Sequence, residues 1–163
     1  MPGASHLAFG GVDQDAFGVG KVGGNVIAKL LMAASAGTIL LLGVIHLMYT
    51  FYGNKFTPRD PDLQAAMREV SPVITCETTM WKTWVGFNAS HSMGAILFGL
   101  VYGYLALVHS TLLLQSTFLL TTGFAMLGGL VVLGKLYWFS VPFRGICVSF
   151  VCYIASIAAV VFG

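Results

Sequence analysis

The chain has 163 residues, of which 57% are hydrophobic and only 9% are charged, and its mean hydropathy is +0.86. A soluble domain carries about 25% charged residues, so the composition excludes a water-soluble fold and indicates a surface that faces lipid. The net charge of +2, without a basic run, gives no indication of a nucleic-acid partner.

The first predicted segment is a polar N-terminal tail, residues 1–24, which is rich in Gly, Asp, Ser and Ala. It is not expected to be a signal peptide, because no charged start leads into a short apolar core with a cleavage site. The first apolar run follows at about 26–52 and exceeds the ~20 residues that cross the hydrocarbon. It predicts the first helix of a transmembrane domain over 25–163.

The polar loop after this helix contains two signals for a helix start. Asp60-Pro61 combines an N-cap residue with a proline at the first helical position, which predicts a short amphipathic helix at the membrane interface. Ser71-Pro72 repeats the signal and predicts a long second span over about 72–108. Its first turns, with Glu77 and Lys82, are expected to project into the interface.

Two further apolar runs complete the predicted fold. They predict helices over about 116–133 and 143–162, separated by the aromatic residues 137–139, which are typical of an interface. The fold class is therefore predicted as all-α: a polytopic four-transmembrane-helix bundle with a short interfacial helix in the first loop. Lys and Arg are concentrated in the first and third loops, which predicts cytoplasmic loops there and both termini outside.

The second predicted helix carries a polar and aromatic stripe at helical spacing. Steps of three and four residues place on one helix face the residues Glu77, Trp81, Trp84, Asn88, His91 and Ala95. Steps of four continue to Gly99 and Gly103, a ridge of small residues that allows another helix to approach closely. A face turned to lipid has no reason to carry an amide and an imidazole, so the stripe is expected to face the bundle interior.

Residues of three helices are expected to converge at the same depth. His46 lies near the end of the first span and His91 near the start of the next, and antiparallel neighbours bring both to about 10 Å below the cytoplasmic surface. Lys135, at the end of the third span, emerges on the same side. Polar groups in hydrocarbon are costly unless partnered, so they either fix the packing or form a site.

The leading hypothesis is a site that binds, and in one version converts, a lipid-like or other small hydrophobic molecule. His91, His46 and Glu77 are the candidate groups for acid–base chemistry, and the sequence leaves open whether the chain is an enzyme. The candidate ligand-binding residues are Asn88, Ser92, Trp84, Trp81, Tyr49 and Lys135. Membrane sterol isomerases use similar groups, an analogy without a shared motif.

Two alternatives remain open at this stage. His46 and His91 on neighbouring helices are possible axial ligands of a b-type haem for electron transfer, although no cofactor is predicted in the leading hypothesis. The small size and the glycine ridge also fit an accessory subunit of a larger membrane complex, or a homo-oligomer. Two histidines and a distant glutamate are too few ligands to predict a metal site.

Several segments resemble a known family. His46, Tyr49-Thr50-Phe51, residues 56–60, Met80-Trp81 and above all the run 84–94, with its Gly-Phe-Asn-Ala-Ser-His-Ser core, look like a family of small four-helix membrane proteins found in bacteria. The resemblance covers about two thirds of the chain and brings no function with it. It implies the four-helix architecture and residence in a bacterial inner membrane, among its lipids.

Overall fold

The protein is an all-helical bundle. The computed structural model describes the backbone of residues 14–162 and the side chains of residues 26–162. Its helices are α1 (Gln14–Phe51), α2 (Pro61–Glu69), α3 (Met80–Val108), α4 (Ser110–Gln115), α5 (Thr117–Tyr137) and α6 (Ser140–Phe162). Within the described part of the chain, four segments are long and apolar enough to cross a membrane: Val26–Phe51 within α1, and all of α3, α5 and α6. The predicted four-helix membrane bundle is confirmed.

Helix α1 begins earlier than the apolar pattern predicts. Its backbone is helical from Gln14, so residues 14–24 of the predicted tail belong to the helix, while residues 1–13 lie outside the described part of the chain. Extending an existing helix fixes one residue for each hydrogen bond gained, which is far easier than nucleating a new one. A polar sequence next to a membrane span can therefore remain helical without an apolar stripe.

The start of α3 corrects the prediction made from Ser71-Pro72. The helix begins at Met80, and its N-cap is Thr79, whose hydroxyl accepts a hydrogen bond from the Lys82 amide at 3.4 Å. The segment before it is a loop, in which the Thr75 hydroxyl accepts from the Glu77 amide at 3.1 Å. Such local side-chain bonds compete with helix formation, and they leave Glu77 outside α3.

The later helices also differ from their predicted bounds. The predicted loop at 109–115 contains the short helix α4, and α5 continues to Tyr137 instead of stopping at 133. Gly134 does not end α5 because it is buried, and an added Cβ there would lie 3.2 Å from the Phe143 ring. Helix α6 begins at Ser140 and holds Pro142 in its first turn, where proline is tolerated.

Helix α2 is the short amphipathic helix predicted in the first loop. The Asp60 carboxylate accepts a hydrogen bond from the Asp62 amide at 3.0 Å, and proline occupies the first turn. The guanidinium of Arg68 lies 5.5 Å from the centre of the Trp81 ring, which ties α2 to the start of α3.

Removing the N-cap of α2 is expected to loosen this helix alone. Asp60→Ala deletes the carboxylate that accepts from the backbone, which costs about 1 kcal/mol of local helix stability. Hydrogen exchange of the α2 amides should become several-fold faster, with α3 unaffected. Asp62→Ala is the control, since its side chain makes no cap bond. Equal exchange in both variants would contradict the capping role.

Helix α1 lies between α3 and α6, and α5 packs on α6. Two buried serines of α6 donate hydrogen bonds to the α1 backbone: Ser149 to the Ser35 carbonyl at 2.9 Å and Ser156 to the Ala28 carbonyl at 2.7 Å. On the other side, the predicted glycine ridge packs against α1. A Cβ at Gly99 would lie 2.8 Å from the Leu40 Cα, so these two backbones are in direct contact.

Tyrosine hydroxyls hold α5 to the bundle near its N-terminus. Tyr102 of α3 donates to the Leu119 carbonyl and Tyr153 of α6 donates to the Leu120 carbonyl, both at 2.7 Å. Direct packing of α3 on α5 is otherwise sparse. The bundle is thus closed at this end and leaves space between α3 and α5 at the other.

Candidate ligand-binding site

A cavity of about 360 Å³ occupies this space. It lies where α1 and α5 end and α3 and α6 begin, so four helices contribute to its wall. Its lining is mostly apolar, and the polar side chains gather toward the loop end. The lining residues are Ile39, Leu42, Gly43, Ile45, His46, Tyr49, Phe56, Trp84, Asn88, His91, Ser92, Ala95, Met126, Leu130, Tyr137, Trp138, Phe139, Val141, Pro142 and Ile146.

The structure brings most of the predicted site residues to this cavity. Those that line it are His46, Tyr49, Trp84, Asn88, His91 and Ser92. Trp81 lines a smaller neighbouring pocket of about 30 Å³, which shares Tyr49, Trp84 and Asn88 with the main cavity. The 3.6-residue period of α3 and the antiparallel course of α1 are sufficient to account for this convergence.

Glu77 and Lys135 are not brought to the cavity. Glu77 is exposed in the loop before Met80, because α3 does not extend back far enough to carry it on the polar stripe. Lys135 is exposed on α5, with its ammonium nitrogen 5.8 Å from the centre of the Phe143 ring. Neither side chain lines the cavity, so the convergence predicted for Glu77 and Lys135 is not found in the structure.

A chain of hydrogen bonds fixes His46. Its Nδ1 lies 2.7 Å from the Ser92 hydroxyl, which in turn donates to the Asn88 carbonyl at 2.8 Å. A hydroxyl has one proton to give, so we assign the imidazole proton to Nδ1, where it satisfies both contacts. The Asn88 amide nitrogen donates to the Trp84 carbonyl at 2.8 Å, which holds that side chain against its own helix.

Aromatic rings surround the two histidines. The His46 and His91 ring centres are 5.4 Å apart in an edge-to-face arrangement, and the His91 ring meets Trp138 in the same way at 5.1 Å. Phe56 covers His46 from the loop at 4.6 Å. Among the described residues, His91 has no hydrogen-bond partner, in contrast to His46. The imidazole of His91 is therefore available to a bound molecule.

Much of the cavity wall carries little or no signal in the sequence. Phe56 reaches the cavity because the Trp84 indole donates to its carbonyl at 3.0 Å, a contact between positions 28 residues apart. Trp138 is one of the aromatic residues expected between two spans, where the pattern fits an interfacial anchor and a pocket wall equally well, and it lines the cavity. Leu130 and Ile146 carry no signal at all, since an apolar residue in a membrane helix looks the same facing a cavity or a neighbouring helix.

The cavity lining contains no permanently charged side chain. Among the residues that line it, none is Asp, Glu, Lys or Arg. Within the described part of the chain, no three His, Cys, Asp or Glu side chains lie close enough to hold a metal ion. The polar groups that can interact with a bound molecule are thus imidazole, amide, hydroxyl and indole groups beside an apolar space.

Comparison with protein-family models, with curated proteins and with solved structures finds no match to this chain. The function is therefore argued from the geometry of the cavity.

Proposed function

We propose that this integral membrane protein binds a small lipid-like or other hydrophobic molecule in the cavity between its four spans. The observation that carries the proposal is a volume of about 360 Å³, which falls within the range of about 300–1,000 Å³ typical of ligand pockets. Apolar walls with a few polar groups at one end are the usual lining of such pockets.

The hydrogen bonding of the histidines supports a binding role over a purely structural one. Side chains that only fix the packing of membrane helices are expected to satisfy each other, because an unpartnered polar group in hydrocarbon is costly. His46 bonds to Ser92, but His91 has no such partner in the described part of the chain. A ligand that bonds to His91 removes this cost. If the ligand is also converted, the two histidines are the groups that can transfer a proton.

The contact geometry favours this proposal over a bis-histidine haem. Axial ligation places the metal about 2 Å from each nitrogen, with the macrocycle between the two rings. Here the two imidazoles meet edge to face with ring centres 5.4 Å apart. This direct contact between the two rings supports the hydrophobic ligand rather than a macrocycle held between them.

We propose that the protein resides in a bacterial inner membrane, and the basic residues support a site near the cytoplasmic face. Those in loops or helix ends on the cavity side are Lys55, Arg59, Arg68, Lys82, Lys135 and Arg144. An excess of Lys and Arg is typical of cytoplasmic loops, so both termini are proposed to lie outside. Assembly with a larger membrane complex or a second copy is compatible with a ligand site.

The test is to identify what the purified protein retains. The protein is transferred to nanodiscs of one synthetic lipid, and native mass spectrometry and organic extraction then detect any other bound molecule. We expect one hydrophobic compound near one equivalent, and His91→Ala should retain about tenfold less, since loss of one good polar contact is worth roughly that factor. A visible spectrum of the same sample reports haem directly.

Met93→Ala is the matched control for this experiment. Met93 lies two positions further along α3, is 63% exposed toward the lipid and does not line the cavity. It should retain the compound fully. Full retention by His91→Ala would show that the compound binds at another site. A Soret band would show that the bound molecule is haem and not the proposed ligand.

A further inference from the structure

The polar end of the cavity offers hydrogen-bond acceptors in fixed positions. With its proton on Nδ1, His46 carries a lone pair on Nε2, which accepts from none of the described residues. Every fully buried side-chain nitrogen or oxygen of the described residues has a partner. Nε2 therefore retains accessible surface, and His46 lines the cavity.

Asn88 provides a second acceptor in the cavity lining. The amide of Asn88 uses its nitrogen to donate to the Trp84 carbonyl, and its oxygen accepts from none of the described side chains. Asn88 also lines the cavity. The amide orientation follows from this hydrogen bond. Two acceptors in the lining of one cavity favour a ligand whose polar group is a donor.

The neutral lining restricts the polar group further. A carboxylate, phosphate or ammonium group moved from water to an apolar site is strongly disfavoured unless an opposite charge meets it. The residues that line this cavity include no Asp, Glu, Lys or Arg, and charging one of two adjacent imidazoles in an apolar site carries a similar cost. The polar group of the ligand is therefore uncharged.

From these observations, and resting on the proposed function, we infer that the ligand is a neutral amphipath with a hydroxyl group, an alcohol or a phenol. Its hydroxyl donates to Nε2 of His46 or to the amide oxygen of Asn88, and His91 can donate to its oxygen. Its apolar part extends toward Ile39, Leu130 and Ile146, which lie deeper in the cavity. Ser92 is a positioning residue, because it fixes which nitrogen of His46 is protonated.

The inference is tested with probes that share one chain and differ in the polar group. Deuterated 1-dodecanol, dodecyl methyl ether, dodecyltrimethylammonium and dodecanesulfonate are added to ligand-stripped protein in nanodiscs, and protein-bound probe is counted relative to empty discs by native mass spectrometry. The alcohol should bind about tenfold better than the ether, which cannot donate, since one hydrogen bond is worth up to about that factor. Both charged probes should bind more weakly than the alcohol.

Ser92→Ala separates positioning from packing. Nitrogen-15 NMR of the wild type should show His46 with an unprotonated Nε2. The variant should lose this single tautomer, and its preference for alcohol over ether should fall to about twofold or less. Ser149→Ala is the control, because Ser149 is an equally buried serine on the α1–α6 contact, away from the cavity. It should keep the tautomer and the preference.

The outcomes distinguish failure of the hydroxyl inference from failure of the proposed function. If alcohol and ether bind equally and a bulky substitution in the cavity removes both, the cavity takes hydrophobic molecules and the hydroxyl inference is overturned. Preferential binding of a charged probe would also overturn it. If no probe binds above the empty-disc level, the proposed function itself fails.

Discussion

Leu130→Trp is expected to eliminate ligand binding while the bundle remains folded. Leu130 is only 7% exposed and lines the cavity from α5, so an indole at this position projects into space that the ligand would occupy. Filling an existing void does not create the strain that follows from adding atoms to a packed core. Retention of the hydrophobic compound should fall by a factor of about 100 or more, and the unfolding transition should stay in place or move upward.

Leu133→Trp provides the matched control. Leu133 is on the same helix but is 45% exposed and does not line the cavity, so the new indole should face lipid and leave retention unchanged. Full retention in both variants would show that the bound molecule lies outside this cavity. Equal loss in both would point to a general effect of tryptophan on α5.

Gly99→Ala is expected to have the largest effect on stability. The added methyl would lie 2.6 Å from the Leu40 Cβ and 2.8 Å from the Leu40 Cα, so α1 and α3 must separate. Overpacking of this kind costs about 1–3 kcal/mol. The same separation stretches the 2.7 Å contact between His46 and Ser92, so ligand retention should fall together with the free energy of unfolding, measured by equilibrium denaturation in mixed micelles.

Gly103→Ala is the matched control, because Gly103 belongs to the same glycine ridge of α3 but is not in close contact with α1. A Cβ at Gly103 would lie 3.8 Å from the Ala36 Cβ, an ordinary contact. Because alanine is a better helix former than glycine by roughly 0.5–1 kcal/mol, this variant should be as stable as the wild type or slightly more so. A stable Gly99→Ala protein with full ligand retention would rule out the close backbone contact.

Local pattern was sufficient to predict the four spans and to bring most of the polar cavity residues together. A membrane span needs a long apolar run, and the 3.6-residue period alone places Trp84, Asn88 and His91 on one face. The position of His46 opposite His91 follows from counting residues in two antiparallel helices. These features depend on short-range geometry, so they are visible in the sequence.

The predicted start of α3 was wrong because two similar helix-start signals compete. The sequence carries little indication of the cavity residues that long-range contacts place. Ser71-Pro72 and Thr79 can both begin a helix, and only the turn formed around Thr75 selects the later start that removes Glu77 from the stripe. Phe56 reaches His46 through a bond to Trp84 across a loop. Which apolar residues face a void depends on how four helices pack, which periodicity does not encode.

The serine contacts between α1 and α6 have a consequence for biogenesis. Ser35 and Ser149 are 114 residues apart, so α1 leaves the ribosome long before its partner exists. Until α6 follows, the α1 carbonyls that accept from the two serines lack these donors, and the cavity lacks one of its four walls. Insertion of the first spans and completion of the pocket are thus separate events in time. If the proposed function holds, a nascent chain cannot bind a ligand there until α6 has been inserted.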